Sequence, residues 1–183
     1  IKSFDEDGRV LLCSSFSKNL APGLRVGWIA PGRYLERVIH TKYISTGSTV
    51  VQPQLAVAEF IRSGHYQPHL RRMRAQYKAN LDTFTCWVRE YFPSNICVSR
   101  PQGGFLMWIE LPEYFDSLKL SREVRKAGIQ IAAGSLFSAS GKYRNCLRLN
   151  YANRFTEEMR EGLRIVGSEI AKMMHTFPDQ NAP

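Results

Sequence analysis

Between Tyr66 and Tyr91 the apolar residues Tyr66, Leu70, Met73, Tyr77, Leu81, Phe84, Val88 and Tyr91 step by 4, 3, 4, 4, 3, 4 and 3. That is the period of a helix with a single apolar face, so the spacing predicts a helix over about 65–92 that must bury one side. Pro68 is compatible with it only in the first turn, and Pro93 stops it. Ahead of this helix lie two short apolar runs, Val10-Leu11-Leu12-Cys13 and Val26–Ala30. A continuous run of the first kind reads as a strand buried on both faces, as in a parallel sheet. Residues 33–42 carry a short helical pattern, 43–51 read as a loop, and a helix is expected from about Gln52 to Arg62, closed by Gly64. Behind Pro93 the texture changes. Strands are expected at Ile96–Arg100, Phe105–Glu110, Ile129–Ala132 and Leu147–Tyr151. Helices are expected at about Ser121–Lys126 and Thr156–His175, with Thr156 as N-cap of the second. This βαβ-type alternation predicts a compact α+β unit.

Composition excludes several classes. With 44% hydrophobic and 22% charged residues the 183-residue chain is globular rather than disordered or collagen-like, and no apolar run reaches the length of a membrane span. Lys and Arg exceed Asp and Glu by 25 to 16, a net +9 that suits nucleic acid, a membrane surface or small anions and selects none of them. Cys13, Cys86, Cys97 and Cys146 show no zinc-type spacing, and three stand in or beside apolar runs, where a free thiol packs as a small hydrophobe. That usage points to a reducing, cytoplasmic setting. His65 and His69 are four apart, but Glu does not follow His65 and no third ligand is evident, so they read as a solvated pair at a helix start and no metal site is expected. Gly134…Gly141-Lys142-Tyr143 has six residues between its glycines and no Ser or Thr after the lysine, so it is not a phosphate-binding P-loop. The chain begins at Ile1 and reads as a piece of a longer protein.

The densest chemistry lies at 14–28, where Ser14, Ser15, Ser17, Lys18 and Arg25 surround a turn at the end of the first strand. Ligands of α/β sheets gather at such strand ends. Hydroxyls with an arginine fork suit a phosphate, and a neutral lysine amine attacks an aldehyde to form a Schiff base. The parts together suit an aldehyde that also carries a phosphate, of which pyridoxal 5′-phosphate (PLP) is one.

The string Ser15-Phe16-Ser17-Lys18…Pro22-Gly23-Leu24-Arg25…Gly27 resembles the cofactor-lysine motif of fold-type-I PLP enzymes, the aspartate aminotransferase superfamily. Pro53-Gln54-Leu55-Ala56, Gly64-His65-Tyr66…His69-Leu70-Arg71-Arg72-Met73-Arg74…Tyr77, Pro101-Gln102-Gly103-Gly104-Phe105 and Leu147-Arg148-Leu149-Asn150-Tyr151 resemble the same superfamily in the same order. The stretch from Ala133 to Tyr151 is similar to the MocR-type branch of GntR regulators, in which a winged helix-turn-helix precedes an aminotransferase-like domain; stand-alone aminotransferases share much of the pattern.

The resemblance implies an α/β fold with an α+β C-terminal part. Residues 1–64 would be the end of the large PLP-binding domain, 65–175 an interdomain helix and small C-terminal domain, and 176–183 a loose tail. It implies that Lys18 forms the Schiff base and, in an enzyme, moves the proton at the substrate's α-carbon. Ser15, Ser17 and Arg25 would hold the cofactor phosphate, and Arg148 the carboxylate of an amino-acid or amine ligand. The partner for the pyridine nitrogen lies upstream of the lysine strand in that superfamily, and Asp5 and Asp7 do not match it, so the chain alone is not expected to transaminate. A homodimer is implied, with the Ser45–Val50 loop as a candidate contact with the partner's cofactor. DNA would be bound only through a further N-terminal domain. Two parents stay open: a PLP-dependent transcriptional regulator, and an aminotransferase moving an amino group between an amino acid and a 2-oxo acid.

Overall fold

A computed structural model describes residues 1–176 and separates the chain into two compact units, with the boundary at Met73/Arg74. In the first unit, β1 (Leu12–Ser15) pairs antiparallel with β2 (Gly27–Ala30), in register from Leu12↔Ala30 to Ser15↔Gly27. Two helices follow, α1 (Leu35–Thr46) and α2 (Val51–Arg62), and then the first turns of α3 (Tyr66–Tyr91). Pro68 falls in the first turn of α3, where a missing N–H breaks no helical bond.

The expected parallel, doubly buried strand is therefore corrected to one arm of a two-stranded antiparallel ribbon. Leu11, Leu12, Trp28 and Ile29 are partly exposed, with Leu11 and Ile29 bordering a cavity against α1. On α1 the residues Leu35, Ile39 and Tyr43, four apart, form an exposed apolar stripe. Among the described residues of this unit, Val57 is the one buried hydrophobic. Helix α1 runs further than the sequence pattern suggested and takes in Ser45 and Thr46, which shortens the expected loop to 47–50.

The second unit holds a four-stranded antiparallel sheet in the order β3 (Cys97–Val98), β4 (Leu106–Glu110), β6 (Cys146–Asn150), β5 (Ala132–Ala133). Among the described residues no pair is parallel, so the βαβ-type reading of the alternation is corrected, although the α+β class stands. Period-2 alternation turns Met107, Ile109, Leu147 and Leu149 into the core and leaves Trp108 and Arg148 paired on the other face. Phe84 and Val88 of α3, Leu120 and Val124 of α4 (Ser117–Arg125), and Leu163, Val166 and Ile170 of α5 (Glu157–Thr176) complete that core. Helix α5 approaches the end of α3 so closely that a Cβ on Gly167 would lie 2.2 Å from the Tyr91 carbonyl oxygen, which only glycine permits.

Helix α4 starts at Ser117 rather than near Ser121, because the Asp116 carboxylate accepts from the Leu118 and Lys119 amides and caps it there. The Thr156 hydroxyl accepts from the Met159 amide, the expected cap of α5. Cys146 is buried, but Cys13, Cys86 and Cys97 are exposed, correcting the expectation for cysteines beside apolar runs; strand edges and helix flanks leave their thiols outside. Beyond Thr176 the expected tail lies outside the described residues.

Candidate functional site

Residues 16–26 join β1 to β2 and carry most of the chemistry singled out in the sequence. The Phe16 amide donates to the Val26 carbonyl at 2.9 Å, closing the base of the loop. Leu20 and Ala21 both donate to the Phe16 carbonyl, at 2.9 and 3.1 Å, folding 16–21 into a tight turn with Lys18 exposed at its tip. A 3-10 turn at Pro22–Leu24 follows, and Arg25 leaves it in the left-handed conformation, φ 52° and ψ 30°. For a residue with a Cβ that backbone costs roughly 1–2 kcal/mol, and such strain concentrates at ligand sites. Ser15, the last residue of β1, and Ser17 in the loop are both half-buried.

The end of β1 and the loop after it thus carry Ser15, Ser17, Lys18 and Arg25. Among the described residues none of their side chains has an ion-pair or hydrogen-bond partner, and the Asn19 Oδ1 atom is buried without a donor. An unpaired primary amine, a guanidinium and two hydroxyls along one strand end and its loop are the donor set for an aldehyde that carries a phosphate, so the residues present fit PLP.

The corner of α2 and α3 holds this loop. Phe16 meets the Tyr66 ring edge-on at 5.9 Å, Tyr66 meets Phe60, and the His69 Nε2 lies 2.9 Å from the Asn19 carbonyl oxygen. His69 is half-buried and bonded, which corrects its reading as a solvated imidazole; His65 is exposed and shares a proton with Ser63. The signal was present in the spacing. Position 69 lies three after Tyr66 and four before Met73, on the apolar stripe of α3.

Arg148 belongs to the second unit. It stands on β6 opposite Trp108 of β4 and Ala132 of β5, half-buried, with its guanidinium 4.3 Å from the centre of the Phe137 ring. Trp108 meets Phe137 and Tyr143 edge-on at 5.7 and 5.6 Å, so three aromatic rings frame this end of the sheet. Tyr143 is left-handed at φ 62°, and beneath it Gly134 has no room for a Cβ, which would lie 2.3 Å from the Tyr143 carbonyl oxygen. Arg148 borders a cavity of about 740 Å³ together with Ala132, Leu136, Asn150 and Asn153. No carboxylate among the described residues pairs with it, so its fork is open to an anion. The aromatic frame was not legible in the sequence, where Trp108, Phe137 and Tyr143 share no period.

Comparison with known proteins gives a consistent picture. A family model described as aminotransferase class I and II matches residues 2–166. An uncharacterised helix-turn-helix transcriptional regulator of Escherichia coli, YjiR, is 56% identical over 95% of this chain and 37% of its own. Aromatic-amino-acid aminotransferase 1 of Thermococcus litoralis is 32% identical over 95% of this chain and 42% of its own. Among solved structures, the α-aminoadipate aminotransferase LysN of Thermus thermophilus, complexed with N-(5′-phosphopyridoxyl)-L-leucine, matches with a TM-score of 0.86 and 28% identity over 92% of this chain and 43% of that one. The chain spans about two fifths of the length of the curated relatives it matches.

Proposed function

The chain belongs to the class I and II aminotransferase family, and from that premise we propose that it is the C-terminal part of the PLP-binding domain of a GntR/MocR-type transcriptional regulator. The observation that carries the regulator reading is the 56% identity to a helix-turn-helix regulator, against 32% to the aminotransferase, each over 95% of the chain. The exposed apolar stripe on α1 and the exposed Leu12 and Trp28 of the β1–β2 ribbon support its being part of a larger domain, since contiguous exposed apolar surface marks contact with something else.

PLP, when bound, offers an aldehyde to an amine and withdraws electrons from the carbon attached to it. Lys18 supplies the amine from the tip of its turn. Arg25 and the Ser15 and Ser17 hydroxyls hold the phosphate by charge-assisted hydrogen bonds. Arg148 receives the carboxylate of an amino-acid effector, and the Phe137 ring beneath the guanidinium limits its rotation while leaving the N–H fork available. In a regulator, effector binding shifts a conformational equilibrium that a DNA-binding domain elsewhere in the protein reads out. The protein acts as a homodimer with DNA contacts outside this chain.

The test uses the full-length protein loaded with PLP. Amino acids are added one at a time, and two quantities are followed: affinity for the DNA upstream of its own gene, and amino transfer to a 2-oxo acid. The expected result is an amino-acid-dependent change in DNA affinity without sustained turnover, lost in Arg148→Ala. Sustained turnover with no DNA binding would make the parent an aminotransferase.

A further inference from the structure

We propose that His69 is a positioning residue for Lys18, holding the lysine turn through a hydrogen bond from Nε2–H to the Asn19 carbonyl. The inference rests on the reading of Lys18 as the cofactor lysine and adds a residue that reading does not contain.

Lys18 is exposed at the end of a four-carbon stem, so what fixes the attack of its amine is the backbone beneath it. That backbone is clasped on either side of the lysine by one corner of the first unit. On one side Phe16 packs edge-on against Tyr66. On the other side the Asn19 carbonyl meets His69 at 2.9 Å, a contact between residues 50 positions apart in sequence. His69 is itself held, edge-on to Phe60 of α2 at 6.0 Å and within the first turn of α3, where its amide donates to the His65 carbonyl. A carbonyl oxygen only accepts, so Nε2 carries the proton. Both the neutral Nε2–H tautomer and the imidazolium provide that donor, so the clasp does not depend on the charge of the ring.

The clasp matters because a reaction between two held groups proceeds far faster than one in which a flexible turn must first find the geometry. Without the His69 donor the Asn19 carbonyl lacks its partner in the fold, and the turn is held from the Phe16 side alone, by the ring on Tyr66, the amide on Val26 and the Leu20 and Ala21 amides on the Phe16 carbonyl.

The experiment compares wild type, His69→Phe, His69→Gln and His65→Ala in the full-length protein. Phenylalanine keeps a ring against Phe60 and removes the donor; glutamine carries an N–H at a similar reach. Two readouts are taken. The first, without cofactor, is hydrogen exchange of the Leu20 and Ala21 amides, with the β4–β6 amides as a folding control. The second is the rate at which added PLP becomes reducible by borohydride onto Lys18, read by peptide mapping. Loss of one such bond predicts that His69→Phe exchanges about tenfold faster at Leu20 and Ala21 and captures PLP about tenfold more slowly, with His69→Gln within about threefold of wild type. His65→Ala should match wild type in both. Unchanged exchange and capture in His69→Phe would overturn the proposal, as would slowed capture with unchanged exchange. If wild type carries the label on a lysine other than Lys18, the reading of Lys18 fails, and the exchange arm still decides whether His69 holds the turn.

Discussion

Replacing Asn80 by leucine isolates a buried amide that ties α3 to the segment directly after the strand carrying Arg148. Asn80 is 4% exposed and stands on the apolar stripe of α3, three residues after Tyr77 and four before Phe84. Its Nδ2 donates to the Tyr151 carbonyl at 2.8 Å and to the Asn153 carbonyl at 3.2 Å, and its Oδ1 accepts from Gln76 at 2.8 Å. Leucine fills nearly the same space and supplies no donor. Asn153 is exposed, so water can replace the longer bond; Tyr151 is buried, and its carbonyl is left alone. Stranding one buried carbonyl costs about 1–3 kcal/mol. At 1.4 kcal/mol for each factor of ten, a midpoint loss of about 2 kcal/mol accelerates exchange of the β4–β6 backbone amides about thirtyfold. Native-state hydrogen exchange measures this directly. Asn80→Asp should cost more at neutral pH, because it turns an acceptor toward two carbonyls, and should recover as acid protonates the carboxyl and restores a donor. Exchange in Asn80→Leu within about twofold of wild type would refute the reasoning, since a stranded carbonyl would then cost nothing measurable.

Two further perturbations are predicted. In Gly134→Ala the new Cβ meets backbone at Tyr143 and Cys146, so the 134–137 turn must shift at a cost of about 1–3 kcal/mol. Cys146, buried and with its thiol pKa pushed up by that burial, should resist thiol labelling in the native wild type and react in the variant; equal protection in both would contradict this. The Asp5 carboxyl is held down at about 2 from its ordinary 3.8 by its bond to Lys2, then by the Val10 and Arg9 amides. A depressed carboxyl stabilises the fold above its unfolded pKa, so the 5–10 turn keeps this contribution above about pH 4 and loses it as pH falls through about 2. Carbon NMR of the Asp5 carboxyl should show that midpoint, moved upward in Lys2→Ala, and an ordinary midpoint in the wild type would contradict it.

What could be read from the sequence was what a single element encodes by itself. The steps of α3, the alternation that sets Arg148 apart from Leu147 and Leu149, and the Thr156 cap are local patterns, and the structure has them. What covers an apolar run is not local. Val10–Cys13 carries no mark that distinguishes a buried parallel strand from an arm of an antiparallel ribbon, and β3, β4, β6 and β5 gave no sign of their direction. Asn80 and His69 were legible in principle as polar residues on an apolar helical stripe, each needing a partner that the helix itself does not supply. Asp116 was legible too, as an acid ahead of Leu120 and Val124 four apart. For the candidate site, the 16–26 loop is contiguous in sequence and could be singled out as one stretch, whereas the rings around Arg148 come from three separate segments and could not.

Lys18 is the residue proposed to hold PLP. The measurement that tests it most directly is borohydride reduction of the PLP-loaded full-length protein, followed by peptide mapping. The phosphopyridoxyl group is expected on Lys18, and Lys18→Ala is expected to stay unlabelled. Recovery on another lysine, or equal labelling of Lys18→Ala, would contradict it.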